Sequence, residues 1–126
     1  EQMRRIRELC PKDFLLISGD DALTLPVMQM GGVGIISVAS NIVPAEVAGL
    51  VNAFNQGDKA KTEAINKKLL PLVETLFIET NPIPVKAAMA LMGLCSPEIR
   101  LPLCEMSTAN HEQLKKALKD YGLLKG

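Results

Sequence analysis

The sequence predicts an α/β fold of two short parallel strands and about half a dozen helices, with too few strands to complete a sheet. Three observations lead there. Phe14-Leu15-Leu16-Ile17 runs apolar on consecutive positions and Val33 to Val38 is a second short segment of the same character, as in strands covered on both faces. Elsewhere apolar residues recur at helical spacing. The apolar fraction is 48% but aromatics are only 3% and Trp is absent, so a core must be built from Leu, Ile, Val, Ala and Met.

The elements follow in order. Met3, Ile6, Leu9 and Cys10 recur on one face of a first helix, arginines occupy the other, and Pro11 stops it. The first strand ends at Ser18-Gly19-Asp20-Asp21. A second helix carries Leu23, Val27, Met28 and Met30, with Thr24 as its expected cap, Pro26 in the first turn and Gly31-Gly32 closing it. The second strand leads through Ala39-Ser40-Asn41 to a helix with Pro44 at its first position, a stripe of Val47, Leu50, Val51 and Phe54, and a stop at Gly57.

No strand follows Gly57. Asp58 caps a long helix bearing Ala64, Ile65, Leu69, Leu72, Val73, Leu76 and Phe77, expected to bend or break near Pro71 where a ring replaces an amide donor. Asn81 is the expected cap of the next helix, with Pro82 and Pro84 in its donor-free first turn and Val85, Ala88, Met89 and Met92 on one face before Gly93. Ser107 or Thr108 begins the last helix, with Leu114, Ala117, Leu118 and Tyr121 inward and Gly122 ending it.

Two buried parallel strands need neighbours on both sides, and this inventory does not supply them. A short βα repeat ending in a purely helical appendage suits the last two βα units of a (βα)8 TIM barrel, residues 1–57, followed by a helical C-terminal domain, residues 58–126. The incomplete barrel would be completed by upstream chain, and the missing initiator Met reads as a start within a longer protein. The competing architecture is the end of an open doubly wound sheet. Both place function at the C-terminal ends of the strands, Gly19-Asp20-Asp21 and Val38 to Asn41.

Charge excludes some partners. Fourteen basic and fourteen acidic residues cancel without a long basic cluster, which argues against nucleic acid. The stretch from Gly31 to Val51 is interrupted by Ser37, Ser40, Asn41, Pro44 and Glu46, so it cannot span a bilayer. Cys10, Cys95 and Cys104 lack the spacing of a zinc site and read as reduced, mostly buried thiols of a cytoplasmic protein. No metal or cofactor is expected.

At the strand ends, Asp21 reads first as a helix cap, whereas Asp20 is a candidate for the pocket lining and Gly19 would let a small substrate approach the backbone. Gly31-Gly32-Val33-Gly34 has the composition of a phosphate loop but precedes a strand, so its amides point the wrong way. His111, the only histidine, reads as a surface residue and Lys86 as an anchoring charge. The other lysines fall on solvated helix faces, and none ends an apolar strand where a Schiff-base lysine would sit. The chain has a pocket edge without a nucleophile.

Three segments are recognisable: Leu-Ile-Ser-Gly-Asp-Asp-Ala-Leu-Thr-Leu-Pro at 16–26, Gly-Gly-Val-Gly-Ile-Ile-Ser-Val-Ala-Ser-Asn at 31–41 and Asn-Pro-Ile-Pro-Val-Lys at 81–86. With Arg-Leu-Pro-Leu at 100–103 they resemble the dihydrodipicolinate synthase family over residues 1–124, and the first two are similar to the wider pyruvate-dependent aldolases that include N-acetylneuraminate lyase. The resemblance implies a (βα)8 barrel with a three-helix C-terminal domain and, usually, a cytoplasmic homotetramer. It implies a lyase of the diaminopimelate route to lysine, in which a lysine forms a Schiff base with pyruvate and the enamine adds to aspartate 4-semialdehyde. That lysine, with the proton-relaying residues, would lie upstream of Glu1, so the chain alone should be inactive. What carries over is a substrate-binding wall: Ile36 on the eighth strand against the pyruvate-derived group, Gly19 and Asp20 on the seventh on the semialdehyde side. The alternatives are a sugar-acid aldolase of the same group and a non-catalytic helical interaction module.

Overall fold

A computed structural model describes residues 1–124. The order is helix α1 (Gln2–Leu9), strand β1 (Ile17–Ser18), a 3-10 turn over Asp21–Leu23, helix α2 (Thr24–Gln29), strand β2 (Gly34–Ile35), a second 3-10 turn over Ala39–Asn41, then α3 (Pro44–Asn55), α4 (Lys59–Leu76), α5 (Ile83–Leu91) and α6 (Thr108–Tyr121). β1 and β2 pair in parallel, Ile17 opposite Gly34 and Ser18 opposite Ile35.

Both strands are shorter than the apolar runs that announce them. Pairing requires a partner, and among the described residues each strand has only the other: Leu16 O accepts from Val33 N at 2.8 Å and Ser18 O from Ile36 N at 2.9 Å, which marks the limits of the ladder. The outer faces stay uncovered. Leu15 is 67% exposed and Ile17 44%, whereas Leu16 between them is buried. α1 shows the same lack of cover, because none of its residues is buried and Leu9 is 68% exposed. It is held by Arg7, whose guanidinium donates to the carbonyls of Phe14 (2.9 Å) and Pro11.

Between the strands, α2 starts differently from the expectation. Leu23 occupies the cap position and Thr24 is the first helical residue, buried, its hydroxyl donating to Asp21 O at 2.8 Å. Capping has moved upstream to Asp20, because the 3-10 turn runs directly into the helix. The helix closes through Gly31 at φ +93, and a Cβ on Gly32 would lie 2.6 Å from Val27 Cγ1 and 2.7 Å from Val27 O. That contact requires glycine at 32.

The core lies in the second half and reaches back to the end of β2. Ala39, Ile42 and Val43 join Val47 and Leu50 of α3, Leu69, Leu72, Val73 and Leu76 of α4, Val85 and Ala88 of α5, and Leu114 and Leu118 of α6. It therefore runs without a break across Gly57, with α4 packing on both α3 and α6. In α3 the buried stripe is Val47, Leu50 and Ala53, while Val51 and Phe54 sit half-buried beside it.

Asp58 caps α4 as expected, accepting from Lys61 N at 3.0 Å. Pro71 does not break that helix: the ring is exposed, and Leu69, Leu72 and Val73 on either side are anchored in the core. The cap of α5 falls on Pro82 rather than Asn81, so only Pro84 lies inside the first turn. Ser107 caps α6 and Gly122 ends it at φ +92. The cysteines depart from expectation, since Cys95 and Cys104 are exposed and Cys10 is half-buried. Cys95 and Cys104 lie in the irregular 92–107 segment and Cys10 ends the uncovered α1, so no core covers any of them. No helix among the described residues is long and apolar enough to cross a membrane.

Candidate functional site at the strand ends

The C-terminal ends of β1 and β2 lie side by side and are knit together by short polar side chains. Ser18, buried at the end of β1, donates from its hydroxyl to Asp20 O at 2.8 Å and accepts from Asp20 N at 3.2 Å. This folds the chain sharply at Gly19. Gly19 is exposed, its φ lies outside the left-handed region, and a Cβ built there would meet nothing within 4 Å. Neither backbone conformation nor packing within the described residues asks for glycine at this position, in contrast to Gly32.

Asp20 is exposed at the mouth, with its carboxylate accepting from Ala22 N at 2.9 Å. It has the capping role that the sequence suggested for Asp21. Asp21 is instead buried, 7% exposed, and its carboxylate reaches across to the end of β2. It accepts from the Ser37 hydroxyl at 2.5 Å, from Val38 N at 2.8 Å and, more weakly, from Ala39 N at 3.4 Å. The Ser37 hydroxyl in turn accepts from Ser40 N at 2.8 Å. A buried carboxylate needs such donors, since an unpaired buried charge is costly. Sequence pattern could not reveal this, because the donors lie 16 to 18 residues away.

Ile36 follows β2 directly and is 76% exposed. Its own amide is bonded to Ser18 O, and the next two residues are bonded to Asp21. Its apolar side chain is therefore exposed on a backbone tied on both sides. The glycine run at 31–34 is not a phosphate loop: Gly31 N donates to Met28 O and Gly32 N to Val27 O, both spent on closing α2.

A second concavity, of about 470 Å³, lies between α5 and α6 and is lined by Lys86, Glu105 and His111 among apolar residues. His111 is half-exposed at this cavity, with its imidazole 4.0 Å from the Glu112 carboxylate. Lys86, read as an anchor, makes no ion pair among the described residues. Glu79 holds the start of α6, accepting from Ser107 N, the Ser107 hydroxyl and the Asn110 side-chain amide at 3.1, 2.9 and 2.8 Å. These bonds, that from Asn110 foremost, keep its carboxyl below the usual carboxylate range.

The family model for the dihydrodipicolinate synthetase family matches residues 1–121. The chain belongs to that family. It is 57% identical over 125 residues to the 4-hydroxy-tetrahydrodipicolinate synthase of Endomicrobium trichonymphae, covering 99% of this chain and 43% of that protein. Its fold matches the crystal structure of dihydrodipicolinate synthase from Aquifex aeolicus with a TM-score of 0.92 at 46% identity, over 98% of this chain and 43% of the other. It also matches, with a TM-score of 0.90 at 34% identity over 97% and 42% of the two chains, a chloride-inhibited dihydrodipicolinate synthase from Acinetobacter baumannii complexed with pyruvate. The chain thus spans less than half the length of these relatives, and its architecture is the last part of a (βα)8 barrel with the helices that follow.

Proposed function

We propose that this chain, in a longer protein, forms part of the active-site wall of a cytoplasmic lyase that condenses pyruvate with aspartate 4-semialdehyde through a lysine Schiff base, on the diaminopimelate route to lysine. The observation that carries the reading is the open strand-end wall in a chain that matches dihydrodipicolinate synthases. Ile36, Gly19 and Asp20 cluster at the C-terminal ends of two parallel strands, where barrel enzymes place their sites, and no lysine ends either strand.

In this reading the Ile36 backbone borders the pyruvate-derived group, and Gly19 and Asp20 border the semialdehyde. Gly19 fits the role because its own fold does not need it, so its missing side chain leaves volume for substrate. Residues 1–57 belong to the barrel and 58–126 to the helical domain, and the whole protein assembles as a homo-oligomer. Alone the chain binds no substrate productively, because the Schiff-base lysine and the remaining strands belong to the upstream portion.

The test joins the chain behind the upstream portion of the Endomicrobium trichonymphae relative. The joined protein should consume pyruvate and aspartate 4-semialdehyde together, while the chain alone should consume neither. Cleavage of N-acetylneuraminate with no condensation would instead assign the sugar-acid aldolase chemistry of the wider group.

A further inference from the structure

We infer that Asp21 is a positioning residue of this site: its buried carboxylate locks the end of β2 to the end of β1 and thereby sets the place of the Ile36 backbone. The inference rests on the reading of Ile36 given above and adds a residue that does not itself line the open wall.

The geometry is that of a strap. Asp21 begins the 3-10 turn after β1, yet all three donors to its side chain come from the segment that leaves β2. Ile36 lies between two cross-strand anchors, Ser18 O on its own amide and Asp21 on Ser37 and Val38. The two-stranded ladder ends at Ile36, so beyond it no strand pairing holds the β2 chain against β1. The carboxylate replaces the ladder there. Both of its oxygens are used, Oδ1 by the Ser37 hydroxyl and Oδ2 by the Val38 and Ala39 amides. An amide in place of the carboxylate offers only one acceptor oxygen, so its NH2 group must face a donor.

Asp20 makes a useful contrast one residue earlier. Its side chain bonds only its own turn, at Ala22 N, and it is exposed. Its loss should not move β2. Asp21 also holds the hydroxyl of Ser37, which bonds Ser40 N, so the strap extends into the turn at Ala39–Asn41 whose first residue enters the core. The wall is thereby referenced to the rigid part of the molecule.

The experiment compares Asp21→Asn and Ser37→Ala in the joined protein described above. Breaking the strap should raise the pyruvate KM about tenfold or more for Asp21→Asn, the worth of one charge-assisted hydrogen bond. The semialdehyde KM should stay unchanged. Ser37→Ala, which keeps both amide bonds, should raise the pyruvate KM less, and it serves where Asp21→Asn does not fold. A merely structural role lowers the active fraction, so kcat falls while both KM values hold; that result overturns the inference. If the unaltered joined protein forms no product, the functional reading fails and the strap is judged on the chain alone by amide exchange. Asp21→Asn should then speed exchange of the Val38 and Ala39 amides about tenfold or more with Leu72 and Leu76 unchanged. Equal exchange at Val38 and Ala39 in the two proteins overturns it.

Discussion

The helical half and the strand edge of this chain use the same residue types and treat them oppositely. Leu72, Leu76, Leu114 and Leu118 are sealed, at 1% exposure or less, while Leu15, Ile17 and Ile36 are 67%, 44% and 76% exposed. Exposed apolar side chains of that kind mark a surface that further chain covers or a ligand meets. The difference shows where the fold is finished within this chain and where its parallel sheet is incomplete. It also shows how the open edge stays ordered, because polar bonds from Ser18, Asp21 and Ser37 replace the packing it lacks.

Removing a core side chain should have the largest effect. Leu76→Ala empties a site with 0% exposure at the meeting of the helices and should cost about 2–5 kcal/mol in a denaturant titration of the chain. A cost near that of a surface substitution would break the contrast.

The two glycines separate packing from openness. Gly32→Ala drives a Cβ into Val27 at 2.6 Å, including its backbone, and should cost about 1–3 kcal/mol. Gly19→Ala has nothing to strike and should leave the melting temperature of the chain unchanged, yet lower the activity of the joined protein. Loss of stability in Gly19→Ala would show that the position serves the fold.

The anchor at α6 should have a smaller, pH-dependent effect. The Glu79 pKa is lowered in the fold, so its contribution is present above the ordinary value of 4.5 and is lost as the pH falls through the lower folded value. Acid titration followed by thermal melting should show the wild type losing its small margin over Glu79→Gln in that window. A margin that grew in acid would contradict the assignment. The smallest effect belongs to the strand edge, where Leu15→Ala should change the stability of the chain by less than about 0.5 kcal/mol.

Much of this was legible in the sequence. Helical spacing located the six helices of the described residues, Asp58 announced its cap, Ser107 or Thr108 marked the start of the last helix, and two short apolar segments announced strands that needed neighbours. What escaped was set by contacts distant in sequence. Thr24 and Asn81 are plausible caps by composition, but the turn at Asp21–Leu23 and the placement of Pro82 shift the helix starts by a residue or more. The sequence reading gave the cap to Asp21, but Asp20 caps and Asp21 crosses to the other strand end. Only the position of β2 beside β1 sends one to its own turn and the other across to Ser37 and Val38. The strands came out shorter than their apolar runs for the same reason, because apolar pattern records the cover a strand expects and pairing records what it has.

Trapping with pyruvate and borohydride, read by intact mass and peptide mapping, tests most directly whether this chain supplies wall without chemistry. The chain alone should show no pyruvyl adduct, while the protein joined to the upstream portion should carry one on a lysine outside the present sequence. A pyruvyl adduct on any lysine of this chain would contradict it.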